Sequence, residues 1–325
     1  MDSPNMPPRQ VAIDRRAIPA DAVESLWHAA DGWPIRRIDW QPFPAVPKRG
    51  ALLFLVGRGD HYEKYLETLD GFAREGWAVT SVDWRGQGGS GRLLDDPHVG
   101  HIDDFSTWIA DLREFWGSWR SETTGPHVVV AHSMGGHLTL CALAENAIDP
   151  DAVALSAPML SIRTGGVPLA INHAVAKAFC AIGLSEKAAW KESEKPMSPL
   201  SLREKILTHD VDRYMDEIAW WRIRPNVKLG PPSWRWVERA IASIRLMGEA
   251  GRLENIQTPI LLMATQADQL VDTKRIVADR KRLPNAEILL FGKEAAHELL
   301  READPVRDAC LTRIRTFFEE HVRKP

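Results

Sequence analysis

Cysteine is scarce in this sequence of 325 residues. The three that occur are Cys141, Cys180 and Cys310, which are far apart and form no Cys-x-x-Cys pair. Their odd number and wide spacing argue against a disulfide framework and against a zinc site built from cysteines. The sequence therefore predicts a protein of a reducing compartment, and it implies no metal ion or organic cofactor.

Long apolar runs and dense basic runs are also missing. No stretch approaches the roughly 18 apolar residues that a membrane-spanning helix needs. The first residues have neither the basic nor the apolar region of a signal peptide, so we expect a cytosolic protein that could still touch the inner face of a membrane. The formal net charge of −3 is too close to neutral to favour a nucleic-acid-binding protein. No feature of the sequence indicates an oligomeric state.

The composition allows a sizeable core, with 44% hydrophobic and 26% charged residues. Short apolar runs typical of strands alternate with amphipathic segments typical of helices. The predicted strands are residues 35–40, 51–56, 77–83, 127–132, 151–158, 260–265 and 286–291. The first of these alternates as an edge strand does. Strands that alternate with helices predict an α/β fold with a mostly parallel, doubly wound sheet.

The alternation stops between residues 159 and 251. This stretch has an irregular helical pattern, interrupted by prolines, and it is rich in tryptophan: Trp190, Trp220, Trp221, Trp234 and Trp236. We interpret it as a helical cap inserted over the carboxyl edge of the sheet. The predicted domains are residues 1–158 and 252–325 for the two parts of the core, and residues 159–251 for the cap.

The most informative stretch surrounds Ser133. A β-branched run precedes this serine, and Gly135 and Gly136 open a helical pattern after it. Strand, sharp turn and helix form the context of the nucleophile elbow G-x-S-x-G. Ala131 stands in place of the first glycine and is small enough for the turn. A serine at such a junction can also be only a helix N-cap, so the interpretation depends on its partners.

A serine hydroxyl is a weak nucleophile at neutral pH and needs a base that is oriented by a carboxylate. With a nucleophile elbow, the chain order is serine, acid, histidine. Asp268 directly follows one predicted strand, and His297 lies in the loop after the next. Both positions are at the carboxyl edge of the sheet, where Ser133 is expected. Asp272 is the alternative acid, although it can equally be the N-cap of the next helix.

Acyl transfer also needs hydrogen-bond donors for the tetrahedral oxyanion. One predicted donor is the backbone N–H of Met134, at the start of the helix that follows the nucleophile. The other is the backbone N–H of Arg58, in the loop after strand 51–56. Gly57 and Gly59 let this backbone approach a substrate closely, although they can also serve only to make the turn.

At several motifs the chain resembles the bacterial lysophospholipase and monoacylglycerol lipase group of α/β-hydrolases. The matching stretches are residues 82–92, 100–105, 131–136, 156–159 and 296–300. The resemblance covers about residues 30–320 and implies the α/β-hydrolase fold with a helical lid. It also implies site residues, namely Ser133 as nucleophile, Asp268 as acid, His297 as base, and Arg58 and Met134 at the oxyanion hole.

Two segments refine this resemblance. Residues 56–59 read Val-Gly-Arg-Gly where many lipases have His-Gly-x-Gly, which changes the anchoring of the loop but not its backbone donor. Residues 230–236, Gly-Pro-Pro-Ser-Trp-Arg-Trp, look like a motif of the lysophospholipase branch. The implied reaction is hydrolysis of the carboxylic ester of a lysophospholipid or monoacylglycerol through an acyl-enzyme on Ser133.

The tryptophan-rich cap suits a single acyl chain, and contact with a membrane–water interface through the cap is part of the same hypothesis. The same tryptophans can also simply pack the lid. A general carboxylesterase for small soluble esters is the alternative, and related sequences include peptidases, because the fold alone does not fix the substrate. A non-catalytic ligand-binding protein is a third reading, against which the complete Ser–Asp–His set argues.

Overall fold

The computed structural model of the protein describes residues 13–44, 46–190 and 202–322. Within these ranges eight strands form one sheet, in the order β1-β2-β4-β3-β5-β6-β7-β8. The strands are β1 (Ala22–His28), β2 (Pro34–Trp40), β3 (Gly50–Leu55), β4 (Trp77–Val82), β5 (His127–His132), β6 (Ala152–Ser156), β7 (Ile260–Thr265) and β8 (Ala286–Phe291).

The sheet is parallel except at one side. β2 pairs antiparallel with both β1 and β4, and all other neighbouring strands pair parallel. The prediction of a mostly parallel sheet is therefore confirmed. Because parallel strands share one direction, the loops that follow β3, β5, β7 and β8 leave from the same edge of the sheet.

The prediction of an edge strand at residues 35–40 is wrong. β2 lies inside the sheet, because β1 pairs along its whole length and forms the edge instead. β1 was not predicted from the sequence, because most of its side chains are exposed and the strand is held by its backbone pairing with β2. A strand with no buried face lacks the alternation on which the prediction depends.

The helices connect the strands. Those described by the structure are α1 (Leu66–Arg74), α2 (Phe105–Glu122), α3 (Met134–Ala144), α4 (Leu169–Ala181), α5 (Leu202–Leu207), α6 (Val211–Ile223), α7 (Trp234–Met247), α8 (Thr273–Arg280) and α9 (Asp304–His321). The central strands β3, β5, β6 and β7 are buried along their whole length, as their continuous apolar runs indicated. No helix within the described ranges is long and apolar enough to cross a bilayer.

The stretch that the sequence assigned to a cap is helical. It contains α4, α5, α6 and α7, while its residues 191–201 lie outside the described ranges. α4 and α7 pack against each other, and the rings of Phe179 and Trp234 stack with centroids 4.0 Å apart. Trp220 and Trp236 are buried, whereas the side chain of Trp190 is 56% exposed. Packing therefore accounts for part of the tryptophan content.

Gly135 allows α3 to pass close to β3. A Cβ atom at this position would lie 2.5 Å from the carbonyl oxygen of Val56 and 2.6 Å from that of Leu55. Since backbone atoms cannot move aside cheaply, we expect Gly135→Ala to lower the free energy of unfolding by about 2 kcal/mol or more, measured by urea denaturation.

Gly117→Ala is the matched control. Gly117 lies inside α2, is exposed, and has no neighbour within 4 Å of an added Cβ. Alanine there should raise the free energy of unfolding by about 0.5–1 kcal/mol, because it restricts the unfolded chain. Equal stabilities of the two variants would contradict the role given to Gly135.

Candidate active site

Ser133 stands at a strained turn between β5 and α3. Its backbone has φ 51° and ψ −114°, a conformation that non-glycine residues rarely adopt and that recurs at functional sites. Two backbone hydrogen bonds hold the turn: Ser133 N–H donates to the carbonyl of Ser156 at 2.9 Å, and Met159 N–H donates to the carbonyl of Ser133 at 3.0 Å. Ser133 is partly exposed although its two neighbours in sequence are buried, so the turn presents its side chain outward from the core.

The structure brings the three predicted residues into one hydrogen-bonded row. The Nε2 atom of His297 lies 3.0 Å from the Oγ atom of Ser133. On the other side of the ring, Nδ1 lies 2.8 Å from Oδ2 of Asp268. Asp268 follows β7 and His297 follows β8, and these adjacent parallel strands deliver both loops to the edge where the serine stands. This is the geometry required of nucleophile, base and orienting acid.

The two candidate acids have different partners. Asp272 is the N-cap of α8, where its side chain accepts the N–H of Lys274 at 3.0 Å. Asp268 uses its second carboxylate oxygen to accept the N–H groups of Leu270 at 2.8 Å and Val271 at 2.9 Å. These two amides fix the orientation of the carboxylate that faces the histidine.

Burial and charge oppose each other in this pair. For Asp268, burial raises the pKa, but the charge and hydrogen bond of His297 and the two backbone amides outweigh it and hold the pKa below its usual value. For His297, burial lowers the pKa, but the neighbouring Asp268 carboxylate outweighs it and raises the pKa above its usual value. The pair therefore favours a charged carboxylate and stabilises the imidazolium form of His297.

The predicted oxyanion donors flank the nucleophile. Met134 is the first residue of α3, so its N–H has no carbonyl partner within the helix. The loop containing Arg58 is adjacent, since a Cβ atom on Gly57 would lie 3.2 Å from Cβ of Ser133. The structure thus places Met134 directly after Ser133 and the Arg58 loop beside it, and the donor role of the two N–H groups stays a prediction.

Side chains hold the Arg58 loop on both sides of this residue. The N–H of Gly57 donates to Oδ2 of Asp60 at 3.1 Å, and the N–H of Gly59 donates to Oε1 of Gln87 at 2.6 Å. A preorganised donor is worth more than a mobile one, because it does not have to reorient as charge develops on the oxyanion.

A buried ionic cluster lies behind the site, and sequence reasoning missed it. Its centre is Lys64, whose ammonium lies 2.5 Å from Asp60, 2.7 Å from Glu298 and 3.2 Å from Glu217. Glu217 also pairs with Arg203 through two hydrogen bonds of 2.6 and 2.9 Å. The cluster joins the Arg58 loop, helix α6 and the residue after His297, so it sets the position of the base relative to the predicted oxyanion donors. The only sequence signal was the i, i+4 spacing of Asp60 and Lys64.

His132 packs beneath the base. Its ring centroid is 4.8 Å from that of His297, and its Nε2 atom is 3.9 Å from Asp60. Burial, together with the nearby charge of His297, lowers the pKa of His132 to about 4. The ring is therefore neutral at neutral pH and packs against His297.

Two groups of potential metal ligands occur among the described residues: Asp60, His132 and Glu298, and Glu287, Glu320 and His321. In the first, the ammonium of Lys64 already lies within hydrogen-bond distance of both carboxylates. In the second, the guanidinium of Arg313 pairs with both glutamates. In each group the carboxylates are therefore already paired with a cation of the protein itself.

The family model described as serine aminopeptidase, S33, matches residues 46–304. The chain belongs to this family. Its predicted resemblance to lysophospholipases and monoacylglycerol lipases is also confirmed by similar proteins. Lysophospholipase L2 of Escherichia coli strain K12 is 29% identical over 313 residues, which cover 92% of this chain and 88% of the relative. Monoacylglycerol lipase of Mycolicibacterium smegmatis is 30% identical over 283 residues, covering 86% and 91% respectively.

Solved structures confirm the predicted α/β-hydrolase fold. A soluble variant of monoglyceride lipase from Saccharomyces cerevisiae superposes with a TM-score of 0.72 at 17% identity, covering 92% of this chain and 96% of the other. A thermostable carboxyl esterase from Bacillus coagulans gives a TM-score of 0.71 at 17% identity, with coverages of 93% and 99%. The two scores are nearly equal, so the fold does not discriminate between a lipid and a small ester as substrate.

The pH dependence of activity should report the state of His297. Because Asp268 raises the pKa of His297, kcat/KM for p-nitrophenyl butyrate should rise with pH through an apparent pKa above about 6.5, the ordinary value for histidine. Asp268→Asn removes the charge but not the burial. The rising limb should therefore shift to lower pH, and kcat should fall by a factor on the order of 10⁴.

Asp272→Asn is the matched control for this measurement. Asparagine remains a good N-cap for α8, and Asp272 is held by Lys274 rather than by the histidine. The pH profile of this variant should match that of the wild type. Identical profiles for the Asp268 and Asp272 variants would exclude Asp268 as the partner of the base.

Proposed function

We propose that the protein is a serine hydrolase that cleaves the carboxylic ester of a single-chain lipid, either a lysophospholipid or a monoacylglycerol. The observation that carries the proposal is the hydrogen-bonded row Ser133–His297–Asp268 beside two backbone donors. Family membership and the lipases among the similar proteins support the class of enzyme: the chain is a carboxylic ester hydrolase. The acyl-enzyme mechanism and the lipid substrate are our inference.

In the proposed reaction, Oγ of Ser133 attacks the ester carbonyl carbon while Nε2 of His297 accepts its proton. The negative charge passes to the carbonyl oxygen, which accepts hydrogen bonds from the backbone N–H groups of Arg58 and Met134. When the tetrahedral intermediate collapses, the bond to the alcohol oxygen breaks and His297 returns the proton to the leaving alcohol. The acyl group remains as an ester on Ser133.

Water then completes the cycle. His297 accepts a proton from the water as its oxygen attacks the acyl-enzyme, and the same proton returns to Oγ when the fatty acid leaves. Asp268 keeps the imidazole oriented and stabilises its charged form in both halves of the reaction.

We further propose that residues 159–251 act as a cap over this site. The backbone of α5 supports the loop of the base, since His297 and Glu298 donate their N–H groups to the carbonyls of Ile206 at 3.3 Å and Leu207 at 2.8 Å. Glu217 of α6 joins the ionic cluster around Lys64. The same stretch also carries apolar side chains that suit an acyl chain.

The outer face of α4 supports contact between this cap and a lipid surface. Ile171, Val175 and, just beyond the helix, Ile182 are 53%, 42% and 70% exposed. They follow one another at about helical spacing, and Lys177 is the only Lys, Arg, Asp or Glu within α4. An apolar helix face of this kind gains free energy when it enters the interfacial layer of a bilayer.

A carboxylesterase for small soluble esters is the second candidate, because the structural similarity to the carboxyl esterase from Bacillus coagulans is as close as that to the monoglyceride lipase. To separate the two, purified protein is assayed against lysophosphatidylcholine, monoacylglycerol and p-nitrophenyl butyrate. We expect release of fatty acid from the lipids and a loss on the order of 10⁴–10⁶ in rate for Ser133→Ala. Ser121→Ala, at an exposed serine of α2, is the control and should retain full activity.

Each result of this panel has a definite meaning. Turnover of the butyrate ester alone would make the protein a carboxylesterase and refute the lipid proposal. Lipid hydrolysis that survives Ser133→Ala would refute the acyl-enzyme on this serine. If no substrate is hydrolysed, both proteins are treated with a fluorophosphonate. Labelling of the wild type but not of Ser133→Ala would support Ser133 as the nucleophile and refute the proposed substrate class. Failure to label the wild type would refute the nucleophile and the substrate class together.

Vesicle binding tests the role of α4. The double substitution Ile171→Asp and Ile182→Asp should weaken co-sedimentation with phosphatidylcholine vesicles by about 10-fold or more, because two apolar side chains no longer enter the lipid. Val23→Asp, at a side chain on β1 that is 63% exposed, should bind as the wild type does. Equal binding of all three proteins would exclude α4 as the contact face.

A further inference from the structure

The side chain of Arg58 has no role in the proposed reaction, which uses only its backbone N–H. Its guanidinium donates one hydrogen bond, from Nη2 to the carbonyl oxygen of Gly230 at 2.7 Å. It also lies over the ring of Trp236, with Cζ 5.2 Å from the ring centroid. The Nε atom is buried and makes no hydrogen bond to any described residue.

Within the described ranges Arg58 has no carboxylate partner, unlike two other part-buried or buried arginines, Arg36 and Arg85. Arg36 pairs with Glu63 at 2.7 Å and with Asp83 at 2.5 Å. Arg85 likewise pairs with two aspartates, at 2.6 and 2.7 Å. For Arg58, the described part of the chain provides no ion pair. Burial lowers its pKa to about 10, so the group is still a cation at neutral pH.

A second unused donor belongs to Trp236, the residue whose ring lies against the Arg58 guanidinium. Trp236 is only 5% exposed, and its indole Nε1 is buried without a partner among the described residues. Buried donors are almost always hydrogen-bonded, so two adjacent exceptions call for an acceptor from outside the chain. An arginine fork and an indole N–H are both donors only. Together they favour an anion with several acceptor oxygens.

The surroundings of these donors are rigid. The N–H of Gly100 donates to the carbonyl of Pro231 at 2.9 Å, and Ser233 N–H donates to the carbonyl of Gly100 at 2.8 Å. The Ser233 hydroxyl also bonds to Nδ1 of His101 at 2.8 Å. A Cβ atom on Gly100 would lie 2.8 Å from Nη2 of Arg58, so the guanidinium packs closely against the backbone at Gly100. The motifs at residues 100–105 and 230–236 thus enclose the arginine.

We propose that the guanidinium of Arg58 and the indole N–H of Trp236 bind the phosphate group of the substrate. The inference rests on the proposed function and narrows it: the substrate is a lysophospholipid rather than a monoacylglycerol. The planar guanidinium matches phosphate oxygens through paired hydrogen bonds. Arg58 then contacts the substrate at two places. Its backbone N–H donates to the ester carbonyl, and its side chain binds the phosphate.

The length of the lysophospholipid head region agrees with the length of the arginine side chain. In a lysophospholipid, the glycerol backbone and its two ester oxygens separate the carbonyl from the phosphate. In arginine, a side chain of comparable length separates the backbone nitrogen from the guanidinium. A monoacylglycerol has only hydroxyl groups at the corresponding position, and these would leave the charge of Arg58 without a counter-ion.

The test compares two substrates with the same acyl chain. For wild type, Arg58→Gln and Trp236→Phe, kcat/KM is measured on lysophosphatidylcholine and on monoacylglycerol, and the ratio of the two values is taken. Any disturbance of the oxyanion loop lowers both values and cancels in the ratio. Loss of a charge-assisted hydrogen bond to phosphate should lower the ratio about 10- to 100-fold in Arg58→Gln. Trp236→Phe keeps an aromatic ring but removes the indole N–H, and it should lower the ratio by a smaller factor.

Arg92→Gln is the matched control. Arg92 also ties this part of the chain to the core, through hydrogen bonds to the carbonyls of Asn226 and Lys228. Its other donors reach the carbonyls of Gly88, Gly91 and Pro97. Arg92→Gln therefore weakens a contact between the core and the segment around residues 226–230, as Arg58→Gln does, but it removes no unpaired donor. The ratio in this variant should equal that of the wild type.

A second readout does not depend on any lipid. Glycerophosphocholine should inhibit hydrolysis of p-nitrophenyl butyrate by the wild type, and its inhibition constant should rise about 10- to 100-fold in Arg58→Gln. Inorganic phosphate is tested alongside it. If only inorganic phosphate depends on Arg58, the group binds free phosphate and the assignment to the lipid head group is wrong.

The outcomes separate this inference from the proposed function. An unchanged ratio and an unchanged inhibition constant in Arg58→Gln would overturn the phosphate site and leave Arg58 as a structural contact. An equal fall on both lipids, with the ratio preserved, would also overturn it. If the butyrate ester is hydrolysed but neither lipid is, the proposed lipid function is wrong. The inhibition constants alone then show whether Arg58 binds an anion.

Discussion

The close approach of α3 to the carbonyl oxygens at the end of β3 is the constraint on which the rest of the site depends. Gly135 makes this approach possible, because any side chain at that position would overlap backbone oxygens. The approach forces a tight turn, and Ser133 takes the strained backbone conformation that the turn requires. The same turn leaves the first N–H of α3 free beside the serine. Nucleophile and predicted oxyanion donor are thus consequences of one packing contact.

A second constraint holds the opposing loops in place. The carboxylates of Asp60, Glu217 and Glu298 converge on Lys64 in the buried interior. Buried charges are tolerated only when they are closely paired, so movement of one loop would leave an uncompensated charge on the others. The cluster therefore couples the Arg58 loop, α6 and the loop of His297 into one arrangement. Arg58 contrasts with this cluster, since its charge has no carboxylate partner among the described residues and contacts the carbonyl of Gly230 and the ring of Trp236.

Much of the fold was predictable because burial leaves a pattern in the sequence. The central strands are continuous apolar runs, and they were found at nearly the predicted bounds. β1 was missed for the opposite reason, since its side chains are mostly exposed and only its backbone pairs with β2. That omission also produced the wrong edge strand. The positions of Ser133, Asp268 and His297 followed from chain order and from their places at strand ends, which the parallel sheet brings together.

The sequence by itself determined the order of the elements, the elbow around Ser133 and the two loops that carry the acid and the base. These are local patterns, in which the signal lies within a few residues of the group concerned. Only the tertiary structure shows that Asp268 and not Asp272 lies against His297, because both follow the same strand but the side chain of Asp272 caps α8. It also decided which carboxylates surround Lys64, and that no carboxylate of the described residues pairs with Arg58. Such pairings join residues far apart in the chain, and no local pattern records which charges become neighbours when the sheet closes.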